Sequence, residues 1–316
     1  MYAFTKYLCD HFPFFSRFRK ALNDAVENVI LSIDPLFFAK REFRNVFKRD
    51  MNLKSPRNVV EKFYWIECNA DLSLISRCAD KEAVRGFVEE RGCGELLNTL
   101  YAKWDSPDDI SFDILPESFI LKSNNGSGDA LIVNDKSKMD ENQVREYFAL
   151  QLKKNYGKHN AQLHYCQIKP CIIAEKLLPV GNVPCGDSLV DYKVWCFDGK
   201  PTYFFVVYNR TKEQAYISLF DTDWNECPEF IKPDRHYKFH PEIKIPRPES
   251  LSEMLKAASL LSKGFPEVRV DFYEVDGKPV FGEMTFTSAY TYFTDDFYTL
   301  LGDMTDLSIL GDSGRV

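Results

Sequence analysis

The chain has 316 residues, of which 45% are apolar and 15% aromatic, with 26 Phe and 16 Tyr. That composition supports a full buried core and excludes a disordered or low-complexity protein. A formal charge of −7 and a pI near 5.4 argue against a general nucleic-acid binder, which carries a basic face.

Residues 1–55 are predicted helical, rich in Phe and Arg, with a boundary at Ser55-Pro56. The opening MYAFTKYLCDHFPFF has Lys6, Asp10 and His11 where a signal peptide needs an unbroken apolar core. No stretch approaches the ~20 uncharged apolar residues of a membrane span, so the expected compartment is the cytosol. Within this region KREFRNVFKR, residues 40–49, holds five Lys or Arg and one Glu. It reads either as a solvated helix face or as a peripheral contact with an anionic membrane or polymer. Nine scattered cysteines without zinc-type spacing are expected to be free thiols.

Helical patterning continues from Val59 to about Leu100, where Asp80 and Lys81 open the stretch KEAVRGFVEERG, which stops at Gly92. A turn-rich segment, DSPDDISFDILPE, follows at 105–117. The second half changes to short β-rich runs: 119–122, 130–133, 171–178, 192–197, 202–208, 268–275 and 279–286. Helical segments at 138–155 and 249–263 separate some of them. Asp198-Gly199 and Asp276-Gly277 each join two runs, a signal for antiparallel hairpins. The fold class is therefore α+β.

Two features bear chemistry. Lys122 ends an apolar strand and SNNGSGDA follows before the next one. Gly126 and Gly128 let backbone N–H groups turn toward an anion, with Asn124, Asn125 and Ser127 adding short polar side chains. This is strand–loop–strand, unlike a Walker or dinucleotide loop, and on its own a plain hairpin loop is the better reading. The second feature is VRVDFYEVDGKPVFGEMTFT, in which Arg269 and Asp271 share one face of a strand and Glu283 and Thr285 share one face of the next. A strict two-residue Asp-Gly turn would set Asp271 opposite Gly282 and Glu283 on the far side. A three-residue turn, Val275-Asp276-Gly277, would pair Arg269 with Glu283 and gather Arg269, Asp271 and Glu283 on one face. The bulged turn is the expectation, because two carboxylates beside an arginine suit Mg²⁺ and nucleotide phosphates.

Together these motifs resemble the ATP-grasp superfamily, most closely its teichuronopeptide-biosynthesis (TupA-like) branch from bacterial cell-surface polysaccharide loci. The resemblance runs in order through CADKEAVRGFV, DSPDDISFDILPESFILKSNNGSGDALIVNDKSKMD, IKPCIIAEKLL, DYKVWCFDGKP, LSKGFPEVRVDFYEVDGKPVFGEMTFT and DDFYTLLGDMTDL, roughly residues 70 to 307. It implies a helical extension over 1–70 and an ATP-grasp domain over 71–316. The latter divides into a leading part at 71–118, a glycine-loop subdomain at 119–178 and a metal and phosphate subdomain at 179–316, with ATP held between two α+β subdomains. It further implies that Lys122 and Lys81 touch phosphates and that Asn125, Gly126, Ser127 and Gly128 form a lid. Glu175, Lys176, Leu177 and Leu178 would line the adenine, Lys193 would lie near the γ-phosphate and Arg269 would steady the transferring group. Asp271, Glu283 and Thr285 would hold Mg²⁺.

Two departures stand out. Asp129 follows Gly128 where the family carries another glycine, so it either points outward or weakens nucleotide binding. Thr285 occupies a position where common ATP-grasp enzymes have Asn, although Thr is usual in this branch. The implied reaction is ligation: ATP activates a carboxylate as an acylphosphate, which an amine attacks, with no dedicated nucleophile required. The partners would be ATP, a small-molecule or saccharide carboxylate and an amine donor, without nucleic acid. Two rivals stay open: an ATP-dependent kinase for a sugar or lipid hydroxyl, and a glycosyltransferase-like or non-catalytic accessory protein of polysaccharide synthesis.

Overall fold

Asn58 starts the helix Val59–Asn69 by accepting the Glu61 backbone N–H at 3.0 Å while its own N–H donates to the Glu61 carboxylate at 3.3 Å. This reciprocal cap satisfies two donors that the first helical turn leaves open. Glu61 is buried and also ion-pairs with Arg49 at 2.5 Å, tying the helix start to the segment before it. The computed structural model describes residues 26, 29–31, 33–180 and 188–311, so the reading of residues 1–25 as helical lies outside them. Ahead of the cap, helix Phe37–Phe47 buries Ala39 and Phe43. Three of the five cations of the 40–49 stretch are tied to carboxylates: Lys40 to Asp34, Arg44 to Asp50 and Arg49 to Glu61.

Two sheets follow. The smaller contains β1 (Leu100–Trp104), β2 (Phe119–Ser123), β3 (Leu131–Val133) and β4 (Ile172–Lys176) in the order β1-β4-β2-β3, all antiparallel. The larger contains β5 (Asp191–Phe197), β6 (Lys200–Tyr208), β7 (Ala215–Asp221), β8 (Tyr237–Lys238), β9 (Val268–Val275) and β10 (Lys278–Thr285) in the order β10-β9-β5-β6-β7-β8. Its pairings are antiparallel except β7 with β8. Both Asp-Gly hairpins form where expected, with positive φ at Asp198, Gly199, Asp276 and Gly277. Strands β1, β7 and β8 were not read from the sequence.

Each sheet has an apolar face and a face that carries charge, as the two-residue side-chain period requires. In the small sheet Phe119, Leu121, Ile172 and Ala174 pack with Val144 and Phe148 of helix Glu141–Gln151. In the large sheet Val194, Val270 and Phe272 pack beneath helix Leu251–Ser262. Lys122 and Glu175 therefore fall on the open face of one sheet, and Lys193 and Asp271 on the open face of the other.

The β9–β10 hairpin corrects the expected turn. Val275 pairs with Lys278, so the loop is the strict two-residue Asp276-Gly277, and Arg269 faces Thr285 instead of Glu283. The extra residue sits inside β10: the register shifts between Phe281 and Glu283, and Asp271 pairs with Glu283. A bulge at Gly282 does what the bulged turn was expected to do. Glycine suits the site because a Cβ there would lie 3.0 Å from the Asp271 carbonyl oxygen.

Candidate active site

Pairing β5 with β9 sets Lys193 directly opposite Asp271. The Lys193 ammonium donates to Asp271 Oδ2 at 2.7 Å. Arg269, two residues back on the same face, donates Nε to Asp271 Oδ1 at 2.7 Å and a terminal nitrogen to Oδ2 at 2.9 Å. It also donates to Thr285 Oγ1 and Ser288 Oγ, each at 3.1 Å. Thr285 in turn donates to Glu283 Oε1 at 3.3 Å. Burial by itself would push the Asp271 carboxyl up, but Arg269 and Lys193 outweigh it and hold the group below the usual carboxylate range. For Lys193, burial disfavours the ammonium, yet Asp191 and Asp271 together keep its pKa above the ordinary value. All three side chains of this cluster are charged at neutral pH.

Across the cleft, Lys122 donates to Glu175 at 2.8 Å, and Arg85 reaches the other Glu175 oxygen at 3.4 Å. The loop after β2 is fastened at its base. Asn124 donates to Asp80 at 2.9 Å and to the Lys169 carbonyl at 3.0 Å, and accepts from the Cys171 N–H at 2.7 Å. Lys81 donates to the Gly126 carbonyl. Ser127 and Gly128, at the tip, are exposed. Asp129 does not point outward: it is buried and accepts the Ser123 backbone N–H at 2.7 Å, closing the loop on itself.

The two open faces meet around a cavity of 260 Å³. Lys81, Lys122, Ser127, Gly128, Glu175, Lys193, Asp271 and Glu283 all line it. A second cavity of 390 Å³ adjoins it, sharing Ser127, Lys193, Arg210 and Glu283, and brings in Arg269 and Thr285. Asn125 and Gly126 line a smaller cavity of 190 Å³ on the other side of the loop tip. Lys176, Leu177 and Leu178 line none of these three, and the Lys176 backbone N–H is already bonded to the Thr99 carbonyl at 2.9 Å.

Several lining residues were missed from the sequence. Asp191 sits two residues before Lys193 and thus on the same face, a signal that was legible. Arg85 lies four residues after Lys81, a spacing legible in the helix expected from Lys81 onward, although the structure starts that helix at Val84. Arg210, which holds Asp191 at 2.6 Å from the loop after β6, had no sequence signal. Val84, Leu97 and Phe281 give the first cavity an apolar end. Among the described residues no group of three His, Cys, Asp or Glu could hold a metal. The protein offers the two carboxylates Asp271 and Glu283, which fits Mg²⁺, an ion that completes its shell with water and phosphate oxygens.

The sequence model described as TupA-like ATPgrasp matches residues 61–306. Solved structures similar to the chain include the D-alanine–D-alanine ligase of Bacillus anthracis, at 16% identity and a TM-score of 0.43, covering 78% of this chain and 72% of that one. The D-alanine–D-alanine ligase of Helicobacter pylori is similar at 11% identity and a TM-score of 0.41, covering 82% and 67%. The ATP-grasp ligase PsnB with its minimal precursor follows at 13% identity and a TM-score of 0.37, covering 72% and 60%. No curated protein matches the chain significantly.

Proposed function

The chain belongs to the TupA-like ATP-grasp family, and from that premise we propose that it is an ATP- and Mg²⁺-dependent ligase that joins a carboxylate to an amine. The observation that carries the proposal is the convergence of Lys122 and Lys193 from opposite walls onto one cavity that also receives Asp271 and Glu283. Phosphoryl transfer asks a protein mainly to position its reactants and neutralise charge, and this cavity has the groups for both.

In the proposed reaction the triphosphate lies between the walls and the adenine lies toward Val84, Leu97 and Phe281. Lys122 exchanges its Glu175 contact for a phosphate oxygen. Lys193 stands at the junction of the two cavities, where the terminal phosphate would meet the acceptor. Asp271 and Glu283 would hold Mg²⁺, with Thr285 fixing the Glu283 rotamer; the ion would supply charge neutralisation at the phosphates. The acceptor carboxylate lies in the second cavity, and one of its oxygens attacks the terminal phosphorus as ADP leaves. The amine nitrogen then attacks the acyl carbon, inorganic phosphate departs and the amine gives up a proton. Arg269, fixed by Asp271, Thr285 and Ser288, and Arg210 face the charge that develops on the transferring group. A role in cell-surface polysaccharide assembly is supported by the family resemblance.

The test is ATP turnover against a panel of uronic acids and amino acids, with ADP, free phosphate and acceptor-bound phosphate measured separately. Equimolar ADP and free phosphate with a new amide is the expected result, lost in Lys122→Ala and Glu283→Ala. Phosphate retained on the acceptor would make the protein a kinase, and turnover surviving both substitutions would overturn the site.

A further inference from the structure

Helix Phe37–Phe47 precedes the matched residues 61–306, yet it reaches the second cavity. Phe47 stacks on Tyr290 with centroids 5.9 Å apart and meets Tyr298 edge-on at 5.7 Å. Tyr64 meets Tyr290 edge-on at 6.4 Å, and Phe43 is buried in the same apolar cluster as Tyr290 and Tyr292. This packing fixes the helix on the loop that follows β10 and makes Glu42 a lining residue of the 390 Å³ cavity. Burial raises the pKa of both the Tyr64 and the Tyr290 hydroxyl, and the nearby negative charge of Glu42 adds to the rise. Of the five cations in the same stretch, Lys40 is tied to Asp34, Arg44 to Asp50 and Arg49 to Glu61, while Arg41 lies over the Phe38 ring.

The cavity therefore has two electrostatic ends. Lys193 and Arg210, shared with the phosphate cavity, mark a cationic end with Arg269 beside them. Glu42 lines the second cavity and not the first, so it supplies an acidic group away from the junction, where the other lining carboxylate, Glu283, sits with the cations. A carboxylate presented to the arginines leaves the rest of its molecule near tyrosine hydroxyls and one carboxylate, an arrangement that favours a cation.

We propose that helix Phe37–Phe47 is a wall of the acceptor chamber and that Glu42 selects acceptors carrying an ammonium group at the end away from the carboxylate to be activated. The proposal rests on the ligase reading. It is tested by calorimetric titration of the full chain, with and without a non-hydrolysable ATP analogue and Mg²⁺. The probes are paired acids: 4-aminobutyrate with butyrate, 6-aminohexanoate with hexanoate, and 2-amino-2-deoxyglucuronate with glucuronate. The amino member of at least one pair is expected to bind about tenfold more tightly, the scale of a charged hydrogen bond. Glu42→Gln should bring that ratio to within about twofold, Glu42→Asp should retain part of it, and ATP-analogue affinity should not change in either. A preference that survives Glu42→Gln, or no amine preference in any pair, overturns the proposal. Failure of the ATP analogue to bind counts against the ligase reading instead, because the amine preference is also measured without it.

Discussion

On the large-sheet wall of the cleft, Lys193, Arg269 and Asp271 are 8%, 6% and 3% exposed, and each is bonded to another member of the cluster. On the small-sheet wall, Lys122 keeps 24% of its side chain exposed and the loop tip at Ser127 and Gly128 is open. The difference separates two tasks. Charges locked in a buried sheet are oriented before any substrate arrives and need no rearrangement when charge develops. A partly exposed lysine paired with one carboxylate can trade that partner for a phosphate at little cost. The large sheet is thus the fixed platform, and the small sheet with its glycine loop is the wall that adapts.

Asp271→Asn should break the platform most severely. It leaves the Lys193 and Arg269 cations facing a neutral amide in a buried site, a change that costs about 3–5 kcal/mol when a buried ion pair loses one partner. Chemical denaturation should show this loss, with ATP turnover abolished. If the variant kept wild-type stability, the cluster would be no more locked than the opposite wall. Gly282→Ala tests the same platform through its backbone. The new Cβ would press on the Asp271 carbonyl at 3.0 Å. Overpacking of this kind costs about 1–3 kcal/mol. Relief requires β10 to shift at the residue before Glu283, so Mg²⁺-dependent ATP affinity should fall even where the variant stays folded.

Lys122→Ala should behave in the opposite way. Losing a partly exposed pair costs under about 1 kcal/mol, and Glu175 keeps Arg85. The melting curve should barely move while ATP binding weakens by about tenfold or more, because the phosphate contact proposed for Lys122 would be lost. A stability loss as large as that of Asp271→Asn would erase the distinction between the walls.

The sequence showed these walls unequally. Hairpins are local, and the Asp-Gly pairs announced both of them because few residues tolerate positive φ. Locating the extra residue was harder. A bulge in the turn and a bulge at Gly282 both put Asp271 and Glu283 on one face, and only the pairing of Val275 with Lys278 separates them. Strand β1 eluded the reading because LYAKW gains its strand character from pairing with the distant β4. Arg210 and Glu42 eluded it for the same reason. Each becomes a lining residue through tertiary packing, of a loop onto Asp191 and of a helix onto Tyr290. Motif residues that act within one strand or loop were legible, and those delivered by another element were not.

The smallest effect expected comes from Glu267, the residue just before β9 and two before Arg269. It is 3% exposed, and neither carboxylate oxygen has a hydrogen-bond partner; the Trp195 indole N–H is close by without meeting hydrogen-bond geometry. Burial pushes its pKa well above the ordinary 4.5, and the Arg269 charge offsets only part of that. The folded protein thus keeps this proton at pH values where the unfolded chain has released it. The Glu267 contribution to stability is full below about 4.5 and is lost as pH rises toward the folded-state value. Asp271 has the opposite sign: its depressed pKa makes its contribution present at neutral pH and lost only as pH falls below the usual carboxylate range. Glu267→Gln, neutral at every pH, should therefore match the wild type near pH 4.5 and melt higher above it. The gap should widen as pH rises from 4.5 toward 8. Melting curves across that range decide the matter. A gap that does not change with pH would mean that Glu267 is ionised in the folded state, and the large-sheet wall would then hold a further carboxylate near Arg269.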